Sequence, residues 1–259
     1  MKKKAGKVIL TVLIIIFTAV FLFSAYKLIS IITEYKAGEN TYEEVTENVV
    51  VEKAPSKKPG KVEEVEKETV PIEVDFTSLC AQYEDVIGWI YSPDTVINYP
   101  VVQGEDNDYY LNRLITGEYN GSGTIFIDMY NSPDITDTNT IMYGHHMKNG
   151  SMFRSLVEYR DTEGYYEEHP VMYFLTPDAN YRVDIFAGFT TSATSDTYTF
   201  NFSNEDEFMT YIADAVNNSD FETDVEVLPT DRIVTLSTCT YWYDNARYVI
   251  QGKLTEIPD

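Results

Sequence analysis

Between Val8 and Ile32 the chain is almost wholly apolar, broken only by small polar residues, Tyr26 and Lys27. A water-soluble domain has nowhere to put such a run. As a helix, the 19 residues from Val8 to Tyr26 are long enough to cross a hydrocarbon core of about 30 Å. Lys2, Lys3, Lys4 and Lys7 precede the run. The positive-inside rule therefore predicts a cytoplasmic N-terminus, with everything after the run on the other side of the membrane. A cleaved signal peptide is the competing reading. It requires a shorter apolar core ending in a small-residue cleavage site, whereas Ser24-Ala25 has apolar residues on both sides. An uncleaved single-pass anchor over residues 1–33 is expected.

Residues 34–71 change character. Glu, Lys, Val, Thr and Pro dominate, and no aromatic residue follows Tyr42. Mixed charge of this kind cannot bury a core. A juxtamembrane helix to about Glu52 followed by a flexible spacer is expected, holding an extracellular domain of residues 72–259 off the membrane. That domain is strongly acidic: after residue 70 there are 32 Asp and Glu against eight Lys and Arg. Such a balance excludes a nucleic-acid binder, which needs a basic face, and suits solubility outside the cell.

The domain reads as many short strands with few helices. Asp75 looks like an N-cap opening a helix to about Asp85. Strands are predicted around Gly88-Trp89-Ile90, from Val96 to Val102, from Gly123 to Ile127 and from Asn139 to His145, with a short helix from Asp106 to Arg113. Ser151 to Tyr159 has a helical pattern. Val171–Leu175 and Tyr181–Thr190 read as paired strands about a Pro177-Asp178-Ala179-Asn180 turn. Glu205–Val216 is amphipathic through Phe208, Tyr211, Ile212 and Ala215. With no βαβ alternation, this pattern predicts a mainly β fold, a barrel with helical additions.

The last hairpin carries the chemistry. Ile233 to Ser237 is a β-branched strand that delivers Cys239 at its end. Beyond a turn of Tyr241, Trp242, Tyr243, Asp244 and Asn245, a second strand begins at Arg247. A thiol nucleophile needs a base, and a positive group near the developing oxyanion. His145, His146 and His169 are the available imidazoles. His169 lies in a polar loop. Of the adjacent pair His145 and His146, alternation lets only one face Cys239 and does not say which. Taken singly, a strand-end Cys is more often core, and an Arg after a turn more often an ion-paired surface group. The combination lifts them. The second cysteine, Cys80, follows helical spacing with Phe76, Leu79 and Tyr83 and is expected to be a buried apolar residue, leaving Cys239 free. No HxxxH, CxxC or EF-hand spacing occurs, and Asp128, Asp134 and Asp137 are too sparse for calcium. No metal or other cofactor is expected.

These residues resemble a known family. Thr235-Leu236-Ser237-Thr238-Cys239 with Arg247 after it is similar to the TLxTC signature of sortases. Tyr143-Gly144-His145 followed by Met147 to Phe153 resembles the histidine segment of class B sortases of Gram-positive bacteria. Gly88-Trp89-Ile90, Tyr99 to Gln103 and Asp108 to Leu111 resemble them too. The likeness covers roughly Asp75 to Leu254. It implies a closed eight-stranded sortase barrel with N-terminal helices and a helix between the sixth and seventh strands. It also implies His145 as the catalytic histidine, because the family's histidine follows the Tyr-Gly pair; His146 stands where many members carry Asn.

The resemblance implies a cysteine transpeptidase. Cys239 would attack the Thr carbonyl of an NPxTx-like motif near the C-terminus of a secreted protein, His145 would carry protons, and Arg247 would hold the substrate backbone or oxyanion. Asn107, Leu111, Tyr143, Thr194, Tyr198, Ser237 and Thr238 are candidate substrate contacts. The acceptor would be an amine of a peptidoglycan precursor, or alternatively a pilin Lys. A non-catalytic membrane-tethered binding module is the reading of another class.

Overall fold

The computed structural model describes residues 2–53, 69–240 and 242–258. One long helix, α1 (Lys2–Val49), leads into β1 (Val50–Glu52), which pairs antiparallel with β2 (Ile72–Val74). After β2 come α2 (Phe76–Gln82), β3 (Val86–Tyr91), β4 (Asn98–Val102), β5 (Ile125–Ile127) and β6 (Asn139–Tyr143). Then follow α3 (Glu158–Asp161), α4 (Tyr165–Glu168), β7 (Val171–Leu175), β8 (Asn180–Ser192), α5 (Glu205–Asn218), β9 (Arg232–Cys239) and β10 (Ala246–Ile257). Strands β3 to β10 close into an eight-stranded barrel of order β10-β8-β7-β3-β4-β5-β6-β9, and α5 lies between its sixth and seventh strands.

Strand alternation explains the two layers of core. Val234, Leu236, Tyr248 and Ile250 lie in the larger core cluster with Trp89, Ile90 and Phe174. Trp89 is fully buried, and its Nε1 donates to Asn98 Oδ1 at 2.7 Å, so the indole carries no unpaired donor inside. Ile233 and Val249, on the opposite face, lie under Phe208, Ile212 and Ala215 of α5. The helix begins where expected, with Asn204 Oδ1 accepting from the Glu207 amide. Asp75 caps α2 in the same way, through the Ser78 amide at 3.0 Å. That helix stops at Gln82 rather than near Asp85, because Tyr83 is already extended and the chain turns into β3.

The apolar part of α1 is long enough to span a membrane, and none of its most apolar window is buried in the protein. The juxtamembrane helix expected to about Glu52 is present and runs to Val49, and it is also docked on the domain. Tyr42, Val45 and Val49 are buried against the barrel, at spacings that put them on one helical face. The Tyr42 hydroxyl reaches the Gly123 carbonyl at 2.5 Å and Thr124 Oγ1 at 2.9 Å. The helix thus ends at Val49 as part of the folded body. The remaining spacer, residues 54–68, lies outside the described residues, as does Tyr241.

Candidate active site

Parallel pairing of β6 with β9 decides where the site lies. Tyr143 at the end of β6 is in register with Ser237, two residues before the end of β9. Both strands therefore run out at one end of the barrel, and His145 and Cys239 leave it together. The ends are stitched: the Gly144 amide donates to the Ser237 carbonyl at 3.1 Å, and Thr238 Oγ1 donates to the Gly144 carbonyl at 2.8 Å. Gly144 is required here by close approach. A Cβ would sit 2.5 Å from both Ile125 Cδ1 and Phe153 Cδ2.

In the antiparallel β9–β10 pair, Cys239 and Arg247 are direct partners. Such residues share a face, with Cβ atoms about 4.5–5.5 Å apart. Arg247 is half-buried and donates to the Ala246 carbonyl at 3.1 Å, and it makes no ion pair among the described residues. Its charge is instead felt by the phenols of Tyr143 and Tyr198.

A groove of about 240 Å³ collects these groups. Cys239, His145 and Arg247 line it with Asn107, Leu111, Tyr143, Tyr198, Ser237 and Thr238. No carboxylate is among its lining residues, so in an acidic chain the groove keeps an unneutralised guanidinium. His145 Nε2 lies 2.5 Å from the Leu111 carbonyl. A carbonyl only accepts, so Nε2 carries a hydrogen, and Nδ1 is the nitrogen left to gain and lose a proton. The Tyr198 hydroxyl meets Ser237 Oγ at 2.9 Å, and its ring stacks on Tyr143 at 6.1 Å. Burial, more than the neighbouring Asp128 charge, keeps the Tyr143 phenol protonated far above its ordinary range.

Thr194 does not join the groove. It is exposed, its amide turned back to Ser192 Oγ at 3.3 Å, while its neighbour Ala193 lines the wall. The Ala193 amide donates to the Asn245 carbonyl at 3.0 Å, which draws this residue, rather than the next, against the β9–β10 turn.

Three contributors were not anticipated. Phe126 and Ala193 line the groove. Asp128, considered above only as a poor calcium ligand, is a buried acceptor for Asn107 Nδ2 and the Tyr143 hydroxyl, both at 2.9 Å. It holds two groove side chains in place, and nothing in the residues around it signals this.

His146 faces away, in a bridge to Met152, and it is absent from the groove lining. Its ring hydrogen-bonds the Cys239 backbone. Burial first, and then the Arg154 charge, hold its imidazole below the ordinary value. A histidine with a depressed folded pKa binds fewer protons folded than unfolded. Its contribution to stability is complete above about pH 6.5 and is lost as pH falls through the lower folded value. The urea midpoint is accordingly expected to fall from pH 8 to pH 5, and to fall less in His146→Gln. Equal slopes in both proteins would show that His146 carries none of the dependence.

Cys80 and Cys239 are both free thiols. Cys80 is half-buried rather than fully buried. Its Sγ lies 3.9 Å from the Val86 carbonyl, and burial raises its pKa. His169 packs tilted against Tyr165, with ring centroids 4.4 Å apart, and is not among the groove lining residues.

A closed mixed barrel that gathers a thiol, an imidazole and a guanidinium at one rim defines a barrel-borne enzyme of the cysteine-nucleophile class. The family model described as "Sortase domain" matches residues 90–255. The chain is 34% identical over 246 residues to sortase B of Listeria monocytogenes, covering 93% of this chain and 95% of that one. The structure of sortase B from Bacillus anthracis in complex with AAEK1 superposes with a TM-score of 0.71 at 32% identity, over 87% of this chain and 100% of that one. Sortase B of Staphylococcus aureus, solved as a substrate complex and with triglycine, gives a TM-score of 0.67 at 32% identity in both cases, over 71% of this chain and 85% and 86% of those. The chain belongs to the sortase family, in its class B, and is a sortase transpeptidase.

Proposed function

We propose that the protein cleaves an NPxTx-like sorting motif of secreted proteins and joins the freed carbonyl to an amine of a peptidoglycan precursor, anchoring those proteins to the cell wall. The observation that carries this reading is the Cys239–Arg247 register pair, with His145 in the same groove. Cys239 Sγ attacks the motif's Thr carbonyl, the peptide C–N bond breaks, and a thioester forms. His145 protonates the departing amine. The acceptor amine then attacks the thioester, His145 takes its proton, and Cys239 leaves as the thiolate. Arg247 donates to the oxyanion at each tetrahedral stage; its planar fork and permanent charge suit this better than an ammonium would. Asn107, Leu111, Tyr143, Tyr198, Ser237 and Thr238 form the substrate walls.

The triglycine complex of the S. aureus relative favours a peptidyl amine as acceptor. The four N-terminal lysines favour a cytoplasmic N-terminus, which places the groove outside the cell. The test is mass spectrometry of the detergent-solubilised full chain with a library of motif peptides and competing amines. Cleavage after Thr of an NPxTx-type peptide, with transfer to an oligoglycine or cross-bridge amine, is expected. Preferential transfer to a Lys side chain in a folded pilin would replace the cell-wall reading with pilus assembly. No cleavage of any member would remove both.

A further inference from the structure

The segment from Tyr109 to Gly121 presents a surface that the groove does not use. Tyr119 is 73% exposed and Tyr109 is 44% exposed. Arg113 and Tyr119 face each other in an antiparallel bridge, so their side chains share a face. The Arg113 guanidinium lies 4.9 Å over the Tyr109 ring. The segment is tied by its own hydrogen bonds. The Leu114 amide donates to the Glu118 carbonyl at 2.9 Å, the Asn120 amide donates to the Asn112 carbonyl at 3.0 Å, and Arg113 Nη1 donates to the Gly117 carbonyl at 2.9 Å. Gly117, at φ 81°, supplies the left-handed residue of the turn.

This face is fastened to α1 at one level. The Gly121 amide donates to Glu34 Oε1 at 2.7 Å, and Asn120 Nδ2 donates to the Glu34 carbonyl at 2.9 Å. A Cβ on Gly38, one turn further on, would lie 3.1 Å from Ser122 Oγ, so helix and loop are in close contact. Just before Glu34, α1 exposes Leu28, Ile29, Ile31 and Ile32. The apolar run thus ends at Ile32, and at a rise of 1.5 Å per residue Glu34 stands only about 3 Å further along the axis. Helix α1 has no break between the two.

We propose that the Tyr109–Gly121 segment lies in the headgroup layer of the membrane that α1 crosses, with Tyr119 and Tyr109 in the interface and Arg113 against lipid phosphates. Tyrosine concentrates at that depth because its ring is apolar and its hydroxyl stays wet, and Arg extends its charge to the same layer. Glu118, also exposed, is the one acidic residue of this turn, and Arg113 offsets its charge. The consequence reaches the active site. Leu111, within the same segment, is the residue whose carbonyl holds His145 Nε2. The groove therefore opens close above the bilayer, where an acceptor carried on a lipid would meet it, and not at the end of a long tether. By contrast β2, paired beyond Val49, stands about 22 Å higher along α1.

The inference rests on α1 being a membrane anchor, and its test separates the two. Full-length protein carrying Phe17→Trp, Tyr119→Trp or Glu73→Trp is reconstituted in phosphatidylcholine vesicles, with lipid brominated either high or low on the acyl chain. Emission is read as the difference from the unmodified chain, whose tryptophans are Trp89 and Trp242. Glu73, on β2, has a side chain 71% exposed in a loose ion pair with Lys53 at 3.6 Å, so its replacement should cost little. Loss of Phe17→Trp emission, loss of Tyr119→Trp emission that is greater with the shallow bromines, and unchanged Glu73→Trp emission are expected. Loss at Phe17 without loss at Tyr119 overturns the proposal and leaves the anchor standing. No loss at Phe17 removes the anchor and the proposal with it. Loss at Tyr119 that vanishes as protein is diluted into lipid would identify a second copy of the chain as the covering surface and overturns the proposal as well.

Discussion

Cys239→Ala, made in the full chain, is expected to abolish cleavage of an NPxTx-type peptide. The loss should be at least about 10⁴-fold, the scale on which removal of an activated nucleophile falls. No other group in the groove can take its place. Ser237 and Thr238 flank it, but their hydroxyls are engaged, with Tyr198 and with the Gly144 carbonyl. Cys80 is the other thiol; it sits on α2 with its Sγ against the Val86 carbonyl and its pKa raised by burial, the opposite of an activated nucleophile. The fold should be indifferent to the change. Cys239 ends a strand whose register is set by backbone pairing to β10, and its side chain is only half-buried. Thermal unfolding of the variant close to that of the unmodified chain would therefore accompany the loss. An unmodified chain that forms a mass-detectable thioester, beside a variant that still binds the peptide and forms none, completes the expected result. Retained cleavage would end the thiol mechanism and leave a tethered binding module as the better description.

What could be read from residue order alone, and what could not, divides along physical lines. The Cys239–Arg247 pair was legible because a β-branched run, a polar turn and a second apolar run make a hairpin whose register follows from its length. Helix α5 was legible from the spacing of Phe208, Ile212 and Ala215, which bury one face over Ile233 and Val249. The docked end of α1 was missed although its signal was present. Tyr42, Val45 and Val49 lie on one helical face, yet they sit among glutamates whose average reads as a solvated spacer. Composition averages around a helix, whereas packing needs only one side of it. Asp128 and Phe126 could not be found that way at all. Their roles depend on β5 meeting β6 and on the turn near Asn107 folding back, both of which are contacts between distant parts of the chain. Thr194 failed for the reverse reason: a one-residue difference at the end of β8 sends Ala193 inward and Thr194 into solvent.

The adjacent histidines are where position in the fold and chemical type separate most sharply. His145→Ala is expected to lower kcat/KM by about 10²- to 10⁴-fold, the contribution of a positioned acid–base group, whereas His146→Ala is expected to keep most of its turnover and lose stability. His145 lines the groove with Cys239 and is oriented through Nε2 by the Leu111 carbonyl, which leaves Nδ1 to deliver a proton to the departing amine. His146 is turned to the other side of the chain, bridged to Met152, with its pKa depressed by burial and by Arg154, so it is a poor proton donor near neutral pH. Its bond to the Cys239 backbone supports the strand end without touching the thiol. Added imidazole should restore part of the rate to His145→Ala, because the cavity left at the rim opens to the groove, and none to His146→Ala. The opposite pattern, an inactive His146→Ala beside an active His145→Ala, would transfer the proton-carrying role to His146. It would require that residue to turn from its bridge with Met152 toward Cys239, beside the hydrogen bond that the Phe153 amide donates to the His145 carbonyl at 3.0 Å.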